Sequence, residues 1–266
     1  MVIGVVVAIR EELTDFFSEN EFVPDKLYSN DQTIYTSALI SNVALIESGM
    51  GKTNAINATN KLINLLQPGL IISAGFAGSV KRQVMPGTSY LCDNLWSIQG
   101  SPAFWSKEIA ERTNVMDENR AVTFNKFISD SDLKIQLGSC MTVDQFIYNH
   151  DLKTWIGNNF SVDVIDMESY WVSQTAMENN VESAVIRVVL DPMEQKLPPF
   201  IVEAANNKRS RTLISGLKHI AANPGDLKKI LQISIQVKKS RRILGSTLQA
   251  LIESDILPMS ETVNMA

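Results

Sequence analysis

The sequence predicts an α/β fold, a three-layer α/β/α sandwich around a mixed central sheet with an added C-terminal helical segment. Three observations predict it. Short continuous aliphatic and β-branched runs at 2–8, 70–74 and 185–190 read as strands buried on both faces. They alternate with stretches of helical periodicity, above all 52–66, as in layered α/β folds. The runs also end in glycines or acids, Gly75-Phe76-Ala77-Gly78 after the second and Asp191 after the third, at the sheet edge where open α/β folds bind ligands.

At 266 residues the chain can bury a full core. Its 45% hydrophobic and 20% charged residues are those of an ordinary globular protein. We read residues 1–266 as one domain, with residues 200–266 as its helical C-terminal extension. The formal charge of -5 gives no reason to expect nucleic acid. Residues 201–266 nevertheless hold ten Lys and Arg against five Asp and Glu. This basic segment is either a set of solvated helix faces or a surface for peripheral contact with an anionic membrane. Cys92 and Cys140 lack CxxC spacing, and His150 and His219 stand alone, so neither a disulfide framework nor a metal site is expected. No cofactor is implied, and the reduced cytoplasm is the expected compartment. The opening MVIGVVVAIR is too short to span a bilayer, and no later run reaches spanning length without charge.

Taken in order, the first strand at 2–8 leads into Arg10-Glu11-Glu12, the start of a short helix with Leu13, Phe16 and Phe17 inside. Residues 33–37 and 42–47 read as paired strands joined through Ser41-Asn42. SGMGKT at 48–53 looks like a phosphate loop, but that loop needs Gly where Ile46 stands, and the dinucleotide fingerprint needs a small residue at Asn54. A Gly-rich strand-to-helix turn survives, whose backbone can approach a ligand closely. The following helix, 52–66, presents Ala55, Ala58, Thr59, Leu62, Leu65 and Leu66 on one face, and Pro68 closes it. A strand at 70–74 then meets the second Gly-rich turn. Pro86-Gly87 opens a strand to Trp96, a helix is expected over 103–112, and a polar loop follows to 132. A strand over 133–141, a helix over 150–158, a helix over 167–179 and a strand over 184–190 complete the alternation. Past Pro198-Pro199 the pattern is helical only, with Ile230, Ile233, Val237, Leu244, Leu248 and Leu251 at helical spacing.

The densest chemistry lies at 164–193, VIDMESYWVSQTAMENNVESAVIRVVLDPM. Glu168 opens a helix after one apolar strand and Asp191 ends the next, so two carboxylates meet at neighbouring strand ends. Glu12 lies beyond the first strand, where by itself it reads as a surface acid or as a site acid. Phe146, beyond another strand end, reads as core packing or as a platform for a planar ligand.

IGVVVAIREEL, then SGMGKTNA with LIISAGFAGSV, then TVDQFI, then VIDMESYWV with VIRVVLD occur in that order over most of residues 1–195. Together they resemble the nucleoside phosphorylase and nucleosidase superfamily, in particular the methylthioadenosine/S-adenosylhomocysteine nucleosidases. The resemblance implies a nucleosidase that hydrolyses the N-glycosidic bond of a purine nucleoside, with adenine as the base and a modified 5′ position. It also implies a small-molecule partner only, no cofactor, and a homodimer or higher homo-oligomer. Carried over by position, Glu12 matches the acid that activates water, and Asp191 the acid that handles the leaving purine. Met167 and Glu168 match residues beneath and hydrogen-bonded to the ribose. Phe146 with Ile147 matches the base-binding segment, Met50-Gly51 the sugar pocket, and Gly75-Phe76 the second Gly-rich turn. The chemistry fits these roles: the base must leave neutral, which asks for a protonated acid near N7, and the cation-like sugar asks for a carboxylate below it.

Two departures bear on this expectation. Phe76 and Leu190 stand where such nucleosidases usually carry Ser. A catalytically inactive nucleoside-binding relative is therefore one alternative, and a phosphorylase using Arg10 or Arg82 for phosphate is another. Against the latter, residues 8–12 lack the Gly-Asp-Pro-x-Arg turn of phosphorylases. The segment after Leu197-Pro198-Pro199 resembles the hopanoid-associated phosphorylase-like proteins, which implies an adenosyl-linked lipid as substrate.

Overall fold

The computed structural model describes residues 1–25, 27, 32–116, 118–194 and 227–254. Its strands are β1 (Ile3–Val7), β2 (Val23–Pro24), β3 (Ile34–Thr36), β4 (Val43–Glu47), β5 (Leu70–Ser79), β6 (Ser89–Ile98), β7 (Glu111–Asn114), β8 (Ile135–Val143), β9 (Val164–Asp166) and β10 (Glu182–Asp191). Its α-helices are α1 (Thr14–Glu19), α2 (Lys52–Leu66), α3 (Glu118–Asp130), α4 (His150–Asn159), α5 (Ser169–Glu178) and α6 (Leu227–Glu253).

All the strands join one mixed sheet. β1 lies between parallel β4 and β5, which is why each of its five residues is buried. β5 continues in parallel to β10, and β10 turns antiparallel to β6. β6 and β8 run parallel, β8 and β9 parallel, and β9 returns antiparallel to β5. Strands β5, β10, β6, β8 and β9 therefore close on themselves at one end of the sheet, gathering their ends around a common point.

One face is covered by α2 and α5 through Ala55, Ala58, Leu62, Trp171, Val172 and Ala176, packed on Val6, Ile71 and Val185. The opposite face is covered by Phe16 and Phe17 of α1, Phe124 of α3, and Leu244, Leu248 and Leu251 of α6, packed on Val5, Ile72, Ile186 and Val188. The structure thus has the predicted mixed α/β layering, and the C-terminal half of α6 lies in the core. The change of character expected at Pro198-Pro199 falls in residues 195–226, outside the described residues. No helix among the described residues is long and apolar enough to cross a membrane.

Three local expectations need correction. Residues 75–78 are not a turn but part of β5, which runs on to Ser79. Antiparallel pairing with β9 and the bulged pairing with β10 keep the chain extended through both glycines. The helix expected over 103–112 is replaced by two 3-10 turns, Pro102–Phe104 and Lys107–Ile109, and by β7. Pairing with β6, together with the Arg112 guanidinium 5.3 Å from the centre of the Trp96 ring, outweighs the weak helical pattern. Conversely, the loop expected up to 132 contains α3. Its apolar face is narrow, Phe124, Phe127 and Ile128 among polar neighbours, and only docking on the core reveals it.

Candidate active site

Glu12 lies just beyond β1, Asp166 and Glu168 at and just beyond the end of β9, and Asp191 at the end of β10, while Gly75 and Arg187 pair midway along β5 and β10. Beyond β1 the chain enters a single 3-10 turn, Arg10–Leu13, which turns Glu12 inward to 7% exposure. One Glu12 oxygen accepts the Phe76 N–H at 2.9 Å, and the other faces the Ile9 N–H at 3.4 Å. Gly75 makes this approach feasible: a Cβ there would stand 3.3 Å from Arg187 Nη1 and 3.4 Å from both Glu12 oxygens. Burial pushes Glu12 up to about 7, against the opposing effects of the Phe76 N–H and the Arg187 guanidinium.

Glu168 precedes α5 and accepts the Gly51 N–H at 2.8 Å, joining the first Gly-rich turn to the β9 end. Gly51 has φ +89°, a conformation that suits glycine and aims its N–H at the carboxylate. Burial and neighbouring Asp166 push Glu168 up to about 8. Asp166 is held the other way. It accepts from Arg187 Nε at 2.7 Å, Thr142 Oγ1 at 2.6 Å, and the Ser169 backbone N–H at 2.9 Å. The Arg187 charge and these donors overcome burial and keep Asp166 below the usual carboxylate range. Arg187 also donates from Nη2 to Ser73 Oγ at 2.8 Å, so its guanidinium is fixed beneath β5.

Asp191 ends β10 at a bulge. Val189 pairs with Ala77 and Asp191 with Gly78, so Leu190 is the extra residue, and the Asp191 side chain is turned inward. Asp191 lines a small cavity with Gly78, Phe146, Ile147, Ile165, Asp166 and Met167. Its Oδ2 is bonded to Nζ of Lys153 from α4, a lysine only 1% exposed. Its Oδ1 is buried and without a hydrogen-bond partner among the described residues. Burial pushes the Asp191 carboxyl up, and Lys153 only partly opposes it.

The sequence profile of the phosphorylase superfamily matches residues 2–217. The chain belongs to the phosphorylase superfamily. Among curated relatives, the 5′-methylthioadenosine/S-adenosylhomocysteine nucleosidase of Haemophilus influenzae is 25% identical over 252 residues, covering 82% of this chain and 98% of the relative. The Listeria innocua protein of the same name is 24% identical over 211 residues, covering 74% of this chain and 88% of its own. Among solved structures, the Helicobacter pylori enzyme of that name, complexed with a substituted pyrrolidin-3-ol, has a TM-score of 0.70 at 16% identity, with 95% and 97% of the two chains covered. Native Helicobacter pylori futalosine hydrolase gives the same TM-score, identity and coverage.

Within this phosphorylase-superfamily fold, the residues singled out in the sequence fall into three groups. Asp191, Phe146, Ile147 and Met167 share the cavity wall. Glu12, Glu168, Gly51 and Gly75 meet around the Arg187 and Asp166 pair. Met50 and the Phe76 ring are not on that wall. Met50 is 39% exposed, and the Phe76 ring packs on the core cluster that contains Leu13 and Val188, leaving only its N–H for Glu12. Sequence reasoning missed Asp166, Arg187 and Lys153. Arg187 carried a signal, since a lone cation inside VIRVVLD must find a buried partner. Lys153 carried one too: it stands at i−3 and i−7 from Ile156 and Phe160, on the apolar face of α4.

Proposed function

We propose that the chain is a nucleosidase that hydrolyses the N-glycosidic bond of a purine nucleoside, with adenine as the base and a substituent other than hydroxyl at the 5′ position. The observation that carries this reading is Asp191: a buried acid that lines a cavity shared with Phe146 and Met167, with one oxygen held by Lys153 and the other buried without a partner among the described residues. In this reading Oδ1 delivers a proton to N7 as the bond to the sugar breaks, so the base departs neutral. Glu12 takes a proton from the attacking water, and Glu168 bonds a ribose hydroxyl beside the developing positive charge. The names of the curated relatives support the adenine nucleoside class and a varied 5′ group.

Water is favoured over phosphate as the nucleophile on electrostatic grounds. The Gly51 N–H at the start of α2, the natural seat for a phosphate, is already taken by Glu168. Arg187 is paired with Asp166, and Arg10 is drawn over the Phe17 and Tyr35 rings at 5.2 and 5.4 Å. The test is release of free base from 5′-methylthioadenosine, S-adenosylhomocysteine, adenosine, inosine and an adenosyl-linked lipid, each with and without phosphate. Release from a 5′-substituted adenosine without phosphate is the expected result. Strict dependence on phosphate would make the chain a phosphorylase, and binding without any release would make it an inactive relative.

A further inference from the structure

We propose that Lys153 is a positioning residue for the leaving-group acid: it locks Asp191 so that Oδ1 alone faces the base, and it neutralises the carboxylate left when the proton has gone. This rests on the hydrolase reading above and assigns the origin of its acid chemistry. Three features of the chain build the arrangement. Asn149 caps α4, accepting the Leu152 N–H at 3.0 Å, and so fixes the turn that carries Lys153. Gly157, one turn further on, lies against the Val80 carbonyl, where any Cβ would overlap it. That close approach presses α4 onto the end of β5, and the Lys153 stem crosses the gap to Asp191. Finally, Nζ bonds Oδ2 and lies 3.5 Å from the Asp191 carbonyl oxygen, so the head group is held at both ends of the same residue.

The step balances within the site. The Oδ1–H bond breaks and an N7–H bond forms, while the electron pair of the glycosidic bond passes into the base. Water adds its hydroxyl to the sugar carbon and gives its other proton to the Glu12 carboxylate. Asp191 is left as a carboxylate against the Lys153 ammonium, and exchange with solvent after release returns a proton to Asp191 and removes the one gained by Glu12. Among the described residues, two further ionisable groups lie close to Asp191 or its lysine. Asp166 lines the same cavity from β9 but is bonded to Arg187, Thr142 and Ser169. His150, at the start of α4, meets the Met193 carbonyl at 3.2 Å. Among the described residues, Lys153 is therefore the cation that sets how readily Asp191 gives up its proton.

The test compares wild type with Lys153→Met and Lys153→Arg on 5′-methylthioadenosine and on a 4-nitrophenyl riboside, whose leaving group needs no proton. For the nucleoside, Lys153→Met should lower kcat by about 10- to 100-fold with KM changed less than about threefold, less than the full general-acid effect of about 10²- to 10⁴-fold because Asp191 itself is kept. Without the ammonium the acid holds its proton to higher pH, so the basic limb of the kcat/KM profile should move upward. Lys153→Arg should restore the limb and most of kcat. The nitrophenyl riboside should be hydrolysed nearly as fast by all three proteins. If Lys153→Met does not fold, Lys153→Gln, which keeps a donor without the charge, must show the same upward shift. Equal losses on both substrates, or an unshifted limb in an active variant, would overturn the role of Lys153 alone. A wild-type protein that releases no base from any nucleoside but hydrolyses the nitrophenyl riboside would overturn the acid assignment with it, and inactivity on both would overturn the hydrolase reading itself.

Discussion

Replacing Glu12 by Gln removes a carboxyl whose charge the fold resists, and the cost can be worked from the structure. Burial raises Glu12 from its ordinary 4.5 to about 7. A carboxyl raised in the folded state contributes its full stability below the unfolded value and loses it as pH climbs through the folded one. The window therefore runs from 4.5 to about 7, and the wild-type protein loses stability across it. At about 1.4 kcal/mol per pH unit, this interval corresponds to about 3 kcal/mol. Gln keeps an oxygen for the Phe76 N–H but has no proton to lose, so Glu12→Gln should lack this contribution. The assay is urea unfolding of both proteins at about pH 5 and about pH 8. Glu168 titrates in an overlapping range, near 8, and so the difference between the two proteins is the quantity to read. Because part of the effect is already lost at about pH 5, that difference should swing by about 2–3 kcal/mol in favour of the variant between the two pH values. Asp166 does not interfere, because its value lies below 3.8 and its contribution is lost only as pH falls. A difference that stays constant with pH, or that swings toward the wild type, would refute the reasoning.

Other expectations concern single contacts. Asp191→Asn should lower base release by about 10²- to 10⁴-fold while calorimetry still detects nucleoside binding, and undiminished turnover would remove Asp191 from the chemistry. Arg187→Met strands Asp166 in the core without its cation, which should lower unfolding stability by about 3–5 kcal/mol. Leu248 is 0% exposed, so Leu248→Ala should cost about 2–5 kcal/mol in urea unfolding, whereas a negligible loss would mean that α6 is not docked.

The central elements were legible because their residues face one dominant force. β1, α2, β5 and β10 are long apolar patterns buried on at least one face, and periodicity alone locates them. The region from 100 to 132 was misread because its order comes from partners distant in sequence. β7 exists by pairing with β6, and α3 by resting a three-residue apolar strip on the core. The acids were visible at strand ends, but their partners were not. Arg187 lies 21 residues from Asp166 and Lys153 lies 38 from Asp191, separations that no local pattern encodes. Leu190 read as a missing hydroxyl beside Asp191. In the fold it is the bulged residue, and the hydrogen bond to Asp191 Oδ2 comes from α4.

The pairing of charges leaves the site with an excess of carboxyl groups. Arg187 is committed to Asp166 and Lys153 to Asp191, while Glu12 and Glu168 are bonded by backbone N–H groups. Those N–H dipoles do not offset burial, so the two carboxyls sit at about 7 and about 8 and hold protons near neutrality. A positive charge entering beside them would reverse the balance, because attraction to a cation favours the ionised carboxylates. The cation-like sugar would then meet two carboxylates whose ionisation it has itself promoted, an interaction stronger in the transition state than with the neutral nucleoside. Binding of a cationic ribose mimic, such as a protonated pyrrolidine linked to adenine, should therefore release protons at about pH 6.5 and tighten as pH rises toward about 8. Calorimetry in buffers of different ionisation enthalpy reads that release directly. Proton uptake, or binding of the mimic that weakens over this range while the mimic stays protonated, would show that Glu12 and Glu168 do not face the sugar charge.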